Sequence, residues 1–324
     1  MRQGRGTYIA KRLIGALLTV FVVISVVFFL QKAMPGDPFA QLARNPRMDK
    51  AAVEQLRAEF GVGESVWNQY VKYVNNVLHG NLGISTYNLQ PVAPQLWEKL
   101  KITVPMVMLG DLFAIVFGIM TGVIAATRRR TVFDYGSTVG ALTFYSFPTQ
   151  WFGMMLILIF ATTLGWFPTG GRQDFFANLE GIPYILDTLW HMVLPSMTIG
   201  LVIYGEYTIV VRSAMLETLG EDYIQTARAK GLSKRRIVWR HAFRNASLPI
   251  VTLVALSLAY VVSGALLVEV VFNWPGIGLA TQEAIETNDS PMLMGATLIL
   301  VVSVVVMNLV ADLLYFKLDP RITE

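Results

Sequence analysis

Long apolar runs separated by short clusters of charge dominate the chain. Residues 13–31 are uncharged between Arg12 and Lys32, residues 102–127 hold only Asp111, and residues 135–171 hold no charge at all. Residues 188–211 carry His191 and Glu206, residues 245–282 carry Glu269 late in the run, and residues 290–316 carry Asp312 near the end. A helix needs about 20 mostly apolar residues to cross a bilayer, where no water satisfies stray backbone amides. The pattern predicts an all-α membrane protein with six spans, the third long, tilted and followed by a short external segment.

Basic residues are retained on the cytoplasmic side, so their distribution orients the bundle. Arg2, Arg5, Lys11 and Arg12 precede the first run; Arg128, Arg129 and Arg130 separate the second from the third. A third cluster, from Arg212 through Arg228 and Lys230 to Arg244, separates the fourth from the fifth, and Lys317 and Arg321 follow the sixth. Of the short loops on the opposite side, one holds only Arg172 and the other no basic residue. Both termini are therefore expected in the cytoplasm of a multi-pass cell-membrane protein. The first run resembles a cleavable signal, but Lys32-Ala33-Met34-Pro35 offers no small-x-small cleavage site, which favours a retained first span. The expected organisation is a cytoplasmic start at 1–12, a first span at 13–34, an external helical loop at 35–101, a five-helix core at 102–317 with a cytoplasmic segment at 216–249, and a tail at 318–324.

Two segments between the spans carry helical patterns of their own. In the external loop, Asp49 is placed to cap a helix over 50–60 with Val53, Leu56 and Phe60 on one face and Gly61 at its end. Trp67, Tyr70, Val71, Val74 and Leu78 then recur at helical spacing before His79-Gly80. These apolar faces must rest on the membrane, on the spans or on a partner. In the segment 216–249, Gly220 ends the fourth run, Glu221 and Asp222 suit the positive start of a new helix, and Gly231 suits its stop. Ser233 is placed to cap a second helix reaching Asn245, before Leu248-Pro249 opens the next span. Helices of about ten residues are unstable alone in water, so both must dock.

Composition narrows the function classes. The chain has 324 residues, 54% hydrophobic and 15% charged, against about 25% charged in a soluble domain. Its net charge of +4 flanks the apolar runs instead of covering a polar face, which argues against nucleic acid. With no cysteine and three scattered histidines, His79, His191 and His241, neither a thiolate nor a metal site is expected. No Gly-x-x-x-x-Gly-Lys-Ser/Thr loop occurs, so any nucleotide chemistry belongs to another polypeptide. No fixed-period repeat is present.

Ionisable groups inside spans are expensive and default to functional candidates. Asp111 lies deep in the second run and is a candidate for the transport pathway or a subunit interface. Glu206 is a candidate for an ion pair within an assembly, being close before Arg212. Glu206 and Glu269 are further candidates for the pathway or a subunit interface, and Glu269 and Asp312 are expected near the membrane surfaces, where each reaches water. Gly118-x-x-x-Gly122 and Gly136-x-x-x-Gly140 predict close helix packing, and Pro148 and Pro195 predict kinks.

Asp222-Tyr223-Ile224-Gln225-Thr226-Ala227-Arg228-Ala229-Lys230-Gly231, followed by His241-Ala242-Phe243-Arg244-Asn245-Ala246-Ser247-Leu248-Pro249, resembles the cytoplasmic signature loop of ATP-binding-cassette importer permeases. The resemblance is strongest to the B-type permease of the dipeptide and oligopeptide branch and covers nearly the whole chain. Pro35-Gly36-Asp37-Pro38, Gly80-Asn81-Leu82-Gly83-Ile84-Ser85, Gly165-Trp166-Phe167-Pro168, the stretch from Val268 through Trp274-Pro275 to Gly278, and Asp319-Pro320-Arg321 fall in that branch's order. The general loop reads Glu-Ala-Ala, three residues, Gly, nine residues, Ile, one residue, Leu-Pro. Here Gln225 and Thr226 replace its first two residues, Ala227 and Gly231 match, His241 takes the Ile place, and Leu248-Pro249 arrives later than the general spacing.

The resemblance implies a type I importer permease that is not itself an enzyme and binds no cofactor. ATP and Mg would sit on two separate ATPase subunits. Asp222, Tyr223, Gln225, Thr226, Ala227, Ala229, Lys230, Gly231 and Leu232 would form the coupling segment docked on one of them. Ala227 and Ala229 would provide a small-residue surface for that approach. A second, homologous permease and an extracytoplasmic substrate-binding protein complete the implied assembly. The implied cargo is a di- or oligopeptide, with oligosaccharide or nickel complexes as the alternative for the same architecture. A self-contained secondary transporter would need more charge at mid-membrane than Asp111 supplies.

Overall fold

In a computed structural model of the chain, residues 5–33, 50–59, 61–174, 176–260 and 265–318 are described. Pro35-Gly36-Asp37-Pro38, Asp49, Phe60 and Asp319-Pro320-Arg321 lie outside them. Among the described residues the secondary structure is helical, apart from an isolated antiparallel bridge between Ile84 and Pro91. The chain divides into two compact units: Met1–Thr103 with Pro275–Leu309, and Val104–Trp274 with Val310–Ile322.

In the first unit, α1 (Arg5–Ala33) is an apolar helix whose outward side chains, among them Leu17, Leu18 and Phe29, stay exposed as a lipid-facing surface requires. Helix α2 (Lys50–Glu59) ends before Gly61, whose φ of +69° is the left-handed conformation of a helix stop. Helix α3 (Val66–Leu78) starts at Ser65, whose side chain accepts from the Asn68 amide, and ends at His79. It packs on the last turns of α1.

Helix α4 (Val92–Thr127) begins ten residues ahead of the expected second span and is 36 residues long. At about 1.5 Å per residue that is roughly 54 Å, well beyond a hydrocarbon layer of about 30 Å. The expected external loop therefore includes the first turns of α4. The other helices of this unit are α12 (Ile277–Glu286) and most of α13 (Ser290–Leu318). Asp289, almost fully buried, accepts from the Ser85 hydroxyl, from the Thr86 amide at 3.1 Å and from the Met292 amide at 3.2 Å. One carboxylate thus caps α13 and fastens the loop after Leu82 to it.

In the second unit the third apolar run is not one helix. It is α5 (Val132–Ser146) and α6 (Thr149–Leu156), the latter continued by a wider π-type turn over Ile157–Thr163. The two halves bend by 105°. The physical reason is Pro148, which disfavours a helical conformation at Phe147 and contributes no amide for the turn before it. Pro195, in contrast, lies inside the unbroken α7 (Gly181–Leu219), which extends the expected fourth span at both ends.

Among the described residues four helices are long and apolar enough to cross a membrane, or five with the bent pair. The remaining expected span is shorter: α10 (Phe243–Tyr260) followed, beyond 261–264, by α11 (Leu266–Val271). Pro249 does not open this span, as the sequence led us to expect, but lies within α10.

Glycines of α4 set the approach of α7. A Cβ at Gly118 would stand 2.5 Å from Tyr207 Cβ, and one at Gly122 2.7 Å from Val211 Cβ. A Cβ at Gly110 would meet the Ser196 carbonyl at 2.7 Å, and Ser196 donates to the Met106 carbonyl at 2.8 Å. Backbones this close gain dispersion contacts that lipid does not supply. Gly136 and Gly140 do not share this role: nothing lies within 4 Å of a Cβ at either.

Candidate functional site

Helix α8 (Asp222–Ala229) forms at one end of the second unit, the end that carries Arg128, Arg129 and Arg130. Glu221 occupies its N-cap and Asp222 its first turn, where negative charge suits the helix dipole. It stops in a Schellman arrangement: the Gly231 amide donates to the Arg228 carbonyl at 2.9 Å and the Leu232 amide to the Ala227 carbonyl at 3.3 Å. This closure needs a left-handed residue, and Gly231 has φ +72°.

Ile224 and Ala227, three residues apart and so on one face, are buried against Val123 and Ala126 of α4, Val211 and Met215 of α7, and Val238 and Ala242. Burying Ile224 alone contributes about 2 kcal/mol, which offsets the intrinsic weakness of so short a helix. Tyr223 adds a polar tie, its hydroxyl accepting from Asn245 Nδ2 at 2.6 Å.

With those residues turned inward, Asp222, Tyr223, Gln225, Thr226, Ala229, Lys230 and Gly231 are left on the exposed side. Ala227 does not belong to that surface. Its methyl is spent on the chain's own core, so the small-residue face expected from Ala227 and Ala229 reduces to Ala229. Leu232 is half-buried and packs on the same core. Ile224, which the coupling signature passes over, is the residue that seats the helix; its apolar character between polar neighbours was the available signal.

The expected second short helix is not separate. Lys234–Arg236 (α9), a π-type turn over Ile237–Ala242 and α10 run on without a gap. Ser233 stands at the N-cap without a side-chain hydrogen bond. Helix α8 therefore packs directly on the base of a long helix. Beside α8 is an open cleft of about 620 Å³, its walls including Arg129, Arg228 and Lys234 over apolar Leu216, Leu219 and Val238.

At the same end, Asp134 of α5 is buried and takes a two-point contact from Arg212 of α7, Nε to Oδ1 at 2.5 Å and Nη2 to Oδ2 at 3.0 Å. The Arg130 amide adds a third bond to Oδ2 at 2.9 Å. The sequence reading used Arg212 as a sign of orientation and as the cation near Glu206, and did not single out Asp134. The spacing of Thr131 and Asp134 as a helix start was a local clue, and Thr131 Oγ1 indeed accepts from the Asp134 amide at 3.3 Å.

The three acids proposed for the pathway or an interface separate. Asp111 is buried, and neither carboxylate oxygen has a hydrogen-bond partner among the described residues. Glu206 is half-buried and forms no ion pair among the described residues. Six positions along a helix place Glu206 and Arg212 on different sides, so the guanidinium reaches Asp134 instead.

Glu269 is fully buried, not at a water-exposed surface as its late place in the apolar run implied. Its helix, α11, packs on α6 and α7, and its C-cap Phe272 is held in place. A Cβ at Gly153 would lie 3.1 Å from the Phe272 ring, and the Gly171 amide donates to the Phe272 carbonyl at 2.9 Å. Asp312 is half-buried near the end of α13. Among the described residues no group of acids and histidines has the geometry of a metal site.

Residues 118–324 match the family described as "Binding-protein-dependent transport system inner membrane component", and residues 6–106 match the N-terminal region of such membrane components. The chain is 36% identical over 330 residues to the di/tripeptide transport system permease protein DppB of Pseudomonas aeruginosa, covering 98% of both chains. It is 36% identical to the dipeptide transport system permease protein DppB of Escherichia coli over 97% of this chain and 98% of that protein. With the glutathione transport system permease protein GsiC of Escherichia coli it shares 34% identity, again over 97% and 98%.

Among solved structures, the inward-facing MetNI methionine ABC transporter aligns with a TM-score of 0.54 at 18% identity, covering 69% of this chain and 96% of that one. That likeness concerns the fold. Taken with the two family matches and the near-full-length relatives, it leads to one assignment: the chain belongs to the binding-protein-dependent inner membrane component family, as a permease subunit of an ATP-binding-cassette importer.

Proposed function

We propose that this permease carries di- or oligopeptides across the cytoplasmic membrane, both termini lying in the cytoplasm, and that α8 is its mechanical connection to an ATPase. The observation that carries the cargo assignment is the end-to-end likeness to permeases named for dipeptide, di/tripeptide and glutathione transport, glutathione being itself a peptide. The chain would form the pathway with a second, homologous permease and receive cargo from an extracytoplasmic binding protein. ATP and Mg would be held by two ATPase subunits.

The coupling proposal is supported by the division of α8 into a seated face and a free face. Ile224 and Ala227 hold the helix to α4 and α7, while Asp222, Gln225, Thr226, Ala229 and Lys230 remain available to another protein. A docked subunit that shifts α8 shifts its base, and the spans respond as one of two arrangements, open outward or inward. ATP binding on the partner then biases which is populated, and direction comes from that subunit.

The test is uptake of a labelled dipeptide by liposomes containing both permeases, the ATPases and the binding protein. Accumulation that requires ATP and the binding protein supports the reading; accumulation by this chain alone overturns it. For the coupling helix, Gln225→Cys in this cysteine-free chain should crosslink to an ATPase subunit in intact cells. Crosslinks only to lipid-facing or external partners overturn that role.

A further inference from the structure

Helix α3 is divided around its axis more sharply than a packing helix needs to be. At about 100° per residue, its apolar residues fill roughly 160° of the circumference, while Asn68, Lys72, Asn75, Asn76 and His79 fall in the opposite arc. Half of the apolar arc is engaged by α1. Tyr70 and Tyr73 stand 5.4 and 5.5 Å, centroid to centroid, from the Phe28 ring, and the Tyr70 hydroxyl lies 2.7 Å from Ser25 Oγ. The other half is bare: Trp67 is 69% exposed, Leu78 72% and Val71 49%.

The bare half continues directly into the exposed apolar surface of α1. Trp67 and Phe29 both pack on Tyr70, at 5.6 and 5.8 Å, and Phe29, Val26 and Leu30 are exposed on a helix long and apolar enough to cross the membrane. The depth agrees. Contacts between α1 and α3 begin at Lys32, which donates to Gln69 Oε1 at 2.7 Å, and reach Ser25. Seven residues of helix rise about 10 Å, and an interfacial helix buries its apolar face about 5–10 Å into the boundary of headgroups and chains.

We propose that α3 is an interfacial helix whose Trp67–Val71–Leu78 edge is immersed in the lipid leaflet surrounding the Ala33 end of α1, with its exposed Asn68, Asn75 and His79 side in water. Its partner is the lipid surface, and the aromatic cluster around Tyr70 fixes the depth at which the first span stops. The inference rests on α1 spanning the membrane and is independent of what is transported or how ATP is coupled.

The chain has no cysteine, which makes the test direct. Val71→Cys, Leu78→Cys and Asn75→Cys are each given a nitroxide label in the full chain, assembled with cysteine-free partner subunits in liposomes. Collisions with oxygen, which concentrates in lipid, are compared with those of a water-soluble nickel complex. The oxygen-to-nickel ratio at positions 71 and 78 should exceed that at 75 several-fold.

High nickel access at 71 and 78 would place the edge in water. Protection from both reagents would place it against a protein subunit. Either result overturns the proposal. Because label mobility can alter with local fit, Trp67 provides a second reading: its fluorescence, taken as the difference from Trp67→Phe, should be quenched by lipids brominated near the headgroup, and absence of quenching counts against lipid contact.

Discussion

Arg212 grips both carboxylate oxygens of Asp134, joining the start of α5 to α7 across 78 residues of chain, and Asp134 is almost inaccessible to water. Two N–H donors in a fixed fork match a carboxylate better than a single ammonium would. Removing one partner leaves an uncompensated buried charge, which costs about 3–5 kcal/mol. Arg212→Met, which leaves the buried Asp134 without its counter-charge, should therefore lower the melting temperature of the detergent-solubilised permease markedly. Asp134→Ala combined with Arg212→Met should restore part of the loss. Equal, additive losses in the thermal scans would show that the two residues do not act as a pair.

Close approach of α4 to α7 makes a second prediction. Gly118→Val and Gly122→Val add atoms where backbone and Tyr207 or Val211 already stand, and overpacking of this kind costs about 1–3 kcal/mol. Gly140→Ala, in open space, should leave both melting and dipeptide uptake unchanged. Equal tolerance at positions 118 and 140 would contradict the packing described.

Helix α8 separates anchoring from conformation. Ile224→Asp buries a charge in the cluster formed with Val123, Met215 and Val238, and should detach the helix. Binding-protein-stimulated ATP hydrolysis should then fall to the unstimulated rate while membrane insertion persists. Gly231→Ala meets no neighbouring atom but forces an ordinary residue into a left-handed conformation, at about 1–2 kcal/mol. Its effect on stimulated hydrolysis should be partial, and a loss as complete as that of Ile224→Asp would mean that Gly231 has a direct contact role.

Asp289 fastens the Ser85 loop to α13. Asp289→Ala removes the acceptor for the Ser85 hydroxyl and for two amides, at about 1–3 kcal/mol for each buried donor left unpaired. Limited proteolysis should then cut between residues 83 and 91 faster than in the parent chain, with the bundle otherwise intact. Unchanged cutting would show that the loop is held by something other than this carboxylate.

Asp111 has no hydrogen-bond partner for either oxygen among the described residues. Its burial costs stability that a neutral isostere recovers in part, so Asp111→Asn should raise the melting temperature. If the carboxylate serves the pathway, the same variant loses uptake, the usual exchange of stability for function. A variant that melts higher with full uptake would assign Asp111 no part in transport.

The chain's own residues settled much of this protein before any coordinates. Uncharged runs near the length of a bilayer fixed the membrane class, because lipid offers backbone amides no other partner. Gly220 marked the end of α7, and Glu221, Asp222 and Gly231 the ends of α8, because capping depends only on neighbours in the chain. The same locality explains Gly61 and His79 at the ends of α2 and α3.

Tertiary structure decided which side of each element is used. Ala227 turned inward because Ile224 has a core to fill; Glu269 became buried because its helix packs on α6 and α7; Arg212 found Asp134 instead of Glu206 because a helix carries the latter out of reach. Gly118 and Gly140 sit in identical motifs, yet only the first meets another helix. Periodicity is a property of adjacent residues and can be read along one dimension. Burial and pairing depend on what arrives from far along the chain, and that distance exists only once the helices have packed.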